Sequence, residues 1–378
     1  MATEQAPLAR SSSRTTASRT GNASRRGVFE RFDAWCARLA DEATALHAAA
    51  VLRIGYGLLY LVFLLREFPH RDEIWGPGSP WTPALARQLS EQTGWISILT
   101  LSDDRAYFES CYALALITSA LFMLGWRTRA VSILFAVVIS FHGRAIFMSD
   151  GGDNLILLMA IYLCFIECGR RWSLDARRAR LRASGGEARR SSGRPEASYL
   201  WCQVLSVRRQ LTTVVHNCGM FVIAAQICIV YGASGLFKVQ GEAWENGTAL
   251  HYVLNLELFQ PWPALSLMMD SNQMVVAAAS YLTVLLQVAF PFVLFSRAKL
   301  VVLTMLLGMH VGIAVLLGLP LFSGAMIIAD AMFVPHRYYR YLGQLWRRAF
   351  ARPGGFEESG DSTSAEPALV PPRAGSAG

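Results

Sequence analysis

Charge is scarce in this chain of 378 residues: 16% are Asp, Glu, Lys or Arg, against about 25% in ordinary soluble domains. Lysine is scarcer still, with two (Lys238 and Lys299) beside 33 arginines. Such an arginine bias reads as codon usage, but it makes the positions of the two lysines conspicuous. The seven cysteines are odd in number and scattered, and none forms a Cys-x-x-Cys pair, so neither a disulfide framework nor a cysteine-based metal site is supported. No His/Asp/Glu/Cys spacing matches a metal motif. A G-x-S-x-G elbow, a P-loop and a G-x-G-x-x-G turn are all missing, which leaves serine-hydrolase and nucleotide-dependent chemistry without a sequence basis.

What is abundant is apolar surface. Apolar and aromatic residues make up 53% of the chain and lie in long blocks, with the charges pushed into the gaps. That pattern excludes a soluble enzyme. Runs of a length suited to a ~30 Å hydrocarbon layer occur at 46–65, 107–125, 129–147, 153–168, 214–237, 274–295, 299–317 and 319–334. The fold class expected is therefore an all-α integral membrane protein, a bundle of about eight transmembrane helices. The fourth and eighth runs are short, which calls for local thinning of the bilayer or shielding by neighbouring helices.

Orientation follows from the Lys/Arg count in the loops. With the N-terminus cytoplasmic, 28 basic residues fall inside and 5 outside, and even the short loops alternate correctly. Both termini are thus expected in the cytoplasm of a cell-membrane protein. Residues 1–27 read as a disordered basic tail; having no apolar core, they are not a cleavable secretory signal. Residues 28–45 read as an amphipathic helix on the membrane surface, with Phe29, Phe32, Trp35 and Leu39 at helical spacing. The cytoplasmic linker 169–213 carries 11 arginines and opens with a short helix capped by Ser173. Its arginines are explained by topology and anionic lipid, so no nucleic-acid partner is expected. Residues 336–378 form a largely disordered cytoplasmic tail. The two outer loops, 66–106 and 238–273, contain Trp75, Trp81, Trp95, Trp244 and Trp262 and are long enough for a small extracytoplasmic cap.

Ionisable residues inside a bilayer cost ~2.5–3.5 kcal/mol each on insertion scales, so each needs a partner or a role. Depth estimated from helical rise puts Arg53, Glu167 and Asp330 towards the inner side, where they are expected to form structural ion pairs. His142, Arg144, Asp153, Tyr231, Ser234, Lys238 and His310 are expected to converge at the outer mouth. Lys238 ends the fifth span and is the sole lysine outside. Desolvation favours a neutral amine, which makes it a candidate base; a lysine that only snorkels to the interface is the competing reading.

Three stretches carry a resemblance to a known family: Leu52-Arg53-Ile54-Gly55; Gly151-Gly152-Asp153 through Trp172-Ser173-Leu174-Asp175; and Ser234-Gly235-Leu236-Phe237-Lys238 through Trp244 and Gly247. Over 46–335 the chain resembles the HTTM (horizontally transferred transmembrane) domain, the membrane part shared with vitamin K-dependent gamma-glutamyl carboxylases. The resemblance implies a base at Lys238; Asp153 and His142, from the expected outer cluster, are further catalytic candidates. It also implies a quinone-like lipid cofactor, for which Arg144, Tyr231, Trp244 and His310 are the candidate contacts. Two departures make gamma-glutamyl carboxylation itself unexpected. Glycine, glycine and aspartate stand at 151–153, where the carboxylases carry a working histidine, and only residues 336–378 follow the last span, where they carry a large lumenal domain. Three function classes stay open: a membrane oxidoreductase or group-transfer enzyme, a non-catalytic helper in maturation or export of a small secreted peptide, and a transporter. Membrane lipid is the partner common to all three.

The topology is directly testable. In a cysteine-free background, a membrane-impermeant thiol reagent applied from outside should label Gln88→Cys and Asn255→Cys and leave Ser192→Cys unlabelled. Labelling at position 192 would overturn the orientation.

Overall fold

The computed structural model describes residues 40–94, 97–144, 149–187 and 199–350, and side chains within them except at 93, 142–144, 185–187 and 346–350. The basic tail, the surface helix expected at 28–45 (up to residue 39) and most of the C-terminal tail lie outside the described residues, as does the side chain of Trp95. Residues 337–378 form a unit of their own, in which the helix His336–Phe350 continues. Everything below concerns the unit up to His336.

Among the described residues the secondary structure is entirely helical. Eight apolar helices are labelled in chain order: α1 Leu46–Glu67, α2 Arg105–Leu124, α3 Thr128–Val138, α4 Gly151–Phe165, α5 Tyr199–Val239, α6 Gln273–Val293, α7 Lys299–Leu316 and α8 Pro320–Asp330. Five of them (α1, α2, α5, α6 and α7) are long and apolar enough to cross a membrane, and α3, α4 and α8 are shorter. The shorter ones owe their length to local signals. α3 tightens into a 3-10 helix at Ile139–Arg144. α4 is opened by a capping box in which Asp150 accepts from the backbone of Gly152 and Asp153, while the Asp153 side chain accepts from the Asp150 N–H. α8 starts at Pro320 just after a left-handed Gly318.

α4 and α8 form the centre of the bundle. α8 packs against α1, α4 and α7, and α4 against α1, α3, α5 and α8. Neighbouring helices therefore shield the two spans that looked short. By contrast α5 runs for 41 residues, so the later part of the expected linker, from Tyr199, is already helix. Its outward face carries exposed Leu211, Phe221, Ile229 and Phe237, which a lipid phase would cover.

Arg53 is fully buried on α1 beside Leu52 and Tyr56. Its guanidinium donates to four backbone carbonyls: Phe122 (2.8 Å), Met123 (2.6 Å), Cys168 (3.2 Å) and Trp172 (2.7 Å). Phe122 and Met123 lie in the last turn of α2, where carbonyls lack helical partners and the helix dipole is negative. The expected pairing of Arg53 with Glu167 or Asp330 is thus incorrect. Glu167 instead accepts from Arg129 (3.4 Å) and Arg170 (2.9 Å), and Asp330 accepts from Tyr231. The error arose because backbone acceptors carry no sequence signature. Gly125, which ends α2 with φ +69, is needed on two counts: a Cβ there would sit 2.5 Å from the Arg53 Nη1, and the left-handed conformation disfavours any other residue.

A second junction is built beside it. Ser173 caps the helix Leu174–Glu187 by accepting from the Ala176 N–H at 2.9 Å. Asp175 reaches across to the start of α3, accepting from the N–H groups of Arg127 (3.0 Å) and Thr128 (2.7 Å) and from the Thr128 hydroxyl (2.8 Å). Burial raises the Asp175 pKa, but these bonds and the Arg178 charge outweigh it, and the net result is below the ordinary value.

Loss of Arg53 should therefore act through orphaned carbonyls. Arg53→Leu takes a donor from four carbonyls, of which that of Phe122 keeps the Gly125 N–H, at ~1–3 kcal/mol for each left buried without a partner, and should markedly lower the melting temperature in detergent. Glu167→Gln or Asp330→Asn in that background should give no recovery. Recovery by either would restore the ion-pair reading.

Candidate functional site

Four helices and a cap enclose an apolar cavity of about 560 Å³. α5 contributes Tyr231, Ser234 and Lys238; α6 contributes Leu282, Leu286 and Gln287; α7 contributes Met305, Met309, His310 and Ile313; α8 contributes Phe322 and Met326. Its roof is Trp244 with Leu250, Val253 and Leu254 from the short helix Ala249–Leu254. The size lies within the range of small-ligand pockets, as does the ratio of many apolar residues to few polar ones.

The cap is tied down by polar contacts. His251 Nδ1 lies 2.7 Å from Asp270 Oδ1, and the Asn255 amide donates to Asp270 Oδ2 at 2.9 Å. The Asn255 and His251 hydrogen bonds hold the Asp270 carboxyl below its ordinary pKa. It is therefore a carboxylate at neutral pH, and its stabilising contribution would fade only as pH fell through that lowered value.

At one end of the cavity stands Lys238, half-buried in the last turn of α5. Its Nζ lies 5.3 Å from the centre of the Trp244 ring and 3.5 Å from the Ser234 carbonyl. The aromatic face offers a favourable surface to the cation. Neither contact is an ion pair. Lys238, Ser234 and Trp244 thus lie together at the end of α5.

Two helical turns away, about 10 Å along α5, the cavity reaches a buried polar chain. The Tyr231 hydroxyl donates to Asp330 Oδ2 at 2.8 Å and lies 2.9 Å from His310 Nε2. A hydroxyl has one proton to donate, so with that proton directed to Asp330 it accepts from the Nε2–H of His310. His310 Nδ1 and Asp330 Oδ1 are buried with no hydrogen-bond partner among the described residues, and so is Gln287 Oε1 on the cavity wall. The chain joins α5, α7 and α8, while the Tyr56 hydroxyl on α1 donates to the Ala325 carbonyl of α8 at 3.0 Å. An imidazole, a phenol and a carboxyl in hydrogen-bond sequence can pass a proton.

The expected outer cluster is only partly assembled. Tyr231, Ser234, Lys238 and His310 meet in one cavity, joined by Asp330, which depth estimates had placed on the inner side. Asp153 does not join them. It is held in the α4 capping box and borders a separate pocket of about 250 Å³ with Glu67, Trp75 and Asp150. It sits at an N-terminus that needs a carboxylate, and this local requirement outweighs proximity to the lysine. The side chains of His142 and Arg144 lie outside the described residues. No group of His, Cys, Asp and Glu among the described residues could hold a metal ion. The sequence reading missed Gly308 and Gly312, which line the cavity from α7 with only open space where a Cβ would go. Their spacing of four, one face of a helix, was the available signal.

The polar chain predicts non-additivity. Tyr231→Phe removes the donor to Asp330 and should destabilise the protein by ~1–3 kcal/mol. Adding Asp330→Leu should recover part of that loss, because the orphaned carboxyl goes with it. A double variant that melts below both single variants would show that Tyr231 and Asp330 act separately.

Residues 197–338 match the family model of the HTTM domain. That stretch runs from α5 through α8 and contains Tyr231, Lys238, Trp244, His310 and Asp330. Of the three stretches that carried the resemblance, the third falls inside it, and the first two precede it. No curated protein and no solved structure matches the chain. The cavity and its polar chain thus lie within the stretch that matches the HTTM domain model.

Proposed function

We propose that this is a multi-pass cell-membrane protein with eight spans and both termini cytoplasmic, and that it binds a quinone-like lipid between α5, α6, α7 and α8 for redox or group-transfer chemistry. The topology is supported by the alternating Lys/Arg counts and by the shielding of α4 and α8 inside the bundle. The observation that carries the chemical reading is one cavity with an amine at one end and an imidazole–phenol–carboxyl chain at the other.

The residues fit such a group. The lining is mostly apolar, as a prenyl chain requires, and Gly308 and Gly312 leave room beside it. Gln287 Oε1 and His310 Nδ1 are buried acceptors in want of a donor among the described residues, which ring hydroxyls could supply. When bound, a quinone-like ring supplies a two-electron couple. Lys238 then serves as the base that takes a proton from a ring hydroxyl, and the Trp244 face favours the ammonium so formed. At the far end His310 Nδ1 would accept from a ring hydroxyl, and Tyr231 and Asp330 hold the imidazole in place. Asp153 has no part in this arrangement.

Reconstituted protein titrated with a short-chain quinone should lose tryptophan emission in a saturable way, and Trp244→Phe should remove that component. Gly312→Leu adds a side chain to open space, so it should abolish binding while leaving the melting temperature unchanged. Lys238→Arg keeps a cation but one that stays protonated, so it should bind the quinone yet fail to complement a deletion strain at normal expression. Full complementation would end the base role. Unquenched wild-type emission would end the quinone reading and favour the peptide-maturation helper.

A further inference from the structure

A second concave site lies at the junction of α2, α3 and the helix Leu174–Glu187. It has a volume of about 550 Å³ and is lined by Trp126, Arg127, Asp175, Arg178, Ala179 and Arg182. We infer that this pocket binds the phosphate of an anionic phospholipid headgroup through Arg127, Arg178 and Arg182.

Charge is the first argument. Three guanidinium groups share one pocket with a single carboxylate. That carboxylate is already committed: Asp175 accepts three hydrogen bonds from Arg127 and Thr128, and its other contact is a 3.6 Å pair with Arg178. A surplus of about two positive charges is left facing the same space, where like charges repel unless an anion enters. Arg182 has no hydrogen bond or ion pair among the described residues. A phosphate ester carries charge of the right sign and size, and the planar guanidinium fork suits its oxygens.

Construction is the second argument. Arg178 and Arg182 are four apart and so present their side chains from one face of the helix. Arg127 comes from the opposite wall, with its guanidinium 5.5 Å from the centre of the Trp126 ring. Its backbone is in the left-handed region at φ +43, a conformation a non-glycine residue seldom adopts without something to hold it. The Asp175 bond to the Arg127 N–H holds it there. The carboxylate that fails to neutralise the pocket thus positions one of its arginines.

Location and size select the source of the phosphate. The loop bearing Trp126 and Arg127 and the helix bearing Arg178 and Arg182 both lie on the side that the arginine count assigns to the cytoplasm, the anionic leaflet. Trp126 is of the type that settles at a membrane interface. The volume exceeds that of a bare phosphate and has room for a glycerol headgroup.

The test uses the full chain in nanodiscs of phosphatidylcholine with or without phosphatidylglycerol, with retained lipid counted by native mass spectrometry. Wild type should retain one phosphatidylglycerol. Arg178→Gln/Arg182→Gln should weaken retention roughly tenfold for each arginine removed, from the usual strength of charge-assisted bonds. Arg182→Gln alone breaks no contact among the described residues and serves if the double variant fails to fold. Arg208→Gln/Arg209→Gln on α5 loses the same charge away from the pocket and should behave as wild type. In discs of phosphatidylcholine alone, inorganic phosphate is added as the soluble source. Stabilisation by it that Arg182→Gln abolishes would support the site and move its ligand from lipid to soluble phosphate. Equal loss of retention in the Arg208/Arg209 control, or no response to either phosphatidylglycerol or phosphate, would overturn the proposal.

Discussion

A single guanidinium placed among backbone carbonyls holds one end of this bundle together. Arg53 leaves α1 and reaches the last turn of α2, then Cys168 beyond α4, and finally Trp172 just before the helix Leu174–Glu187. Helix ends that pack in a dry interior cannot turn to water for their carbonyls. A charged group with five donors in a rigid fork solves several such ends at once, where a lysine would offer one compact cation. Gly125 is the other half of the device, since a side chain there would occupy the guanidinium's space. Trp172, at φ +45, is held in a conformation that a non-glycine residue seldom adopts, with its carbonyl accepting from the same arginine.

From that clamp the rest of the site follows by contact. With α1 fixed, Tyr56 meets the Ala325 carbonyl and sets α8. α8 in turn brings Asp330 to Tyr231 and, through the hydroxyl, to His310. α8 is short and central, which lets a carboxyl at its end reach the middle of the bundle rather than the membrane surface. The apolar cavity lies between this polar chain and Lys238, roofed by a cap that the Asp270 contacts keep closed. The two regions thus use polar groups differently. Around Arg53 they are satisfied by backbone and hold helices. Around the cavity several buried atoms lack partners among the described residues, the condition expected where a ligand completes the set.

Much of this was legible in residue order. Hydropathy located all eight apolar helices. The scarcity of lysine singled out Lys238, and the spacing Ser234, Lys238, Trp244 survived as a contact. Ser173 as a helix cap was readable because capping depends on residues three apart. What failed were inferences that needed depth or a distant partner. Asp330 was expected to pair with Arg53, whereas it accepts from Tyr231, 99 positions away. Asp153 was assigned to the lysine's cluster from its position at the outer mouth, whereas its own helix start uses the carboxylate.

The sequence by itself therefore determined the fold class, the apolar segments and the charge asymmetry that orients them, because each of these depends on local composition against a uniform solvent. It also determined that Ser173 caps its helix, since a cap and its amide are neighbours in the chain. Only the tertiary structure decided the partners of the buried ionisable groups. Arg53 is satisfied by carbonyls that every residue possesses, so no pattern of residue types could announce them. Tyr231, His310 and Asp330 lie up to 99 positions apart, and their meeting depends on how α5, α7 and α8 pack, a geometry that hydropathy constrains only by length.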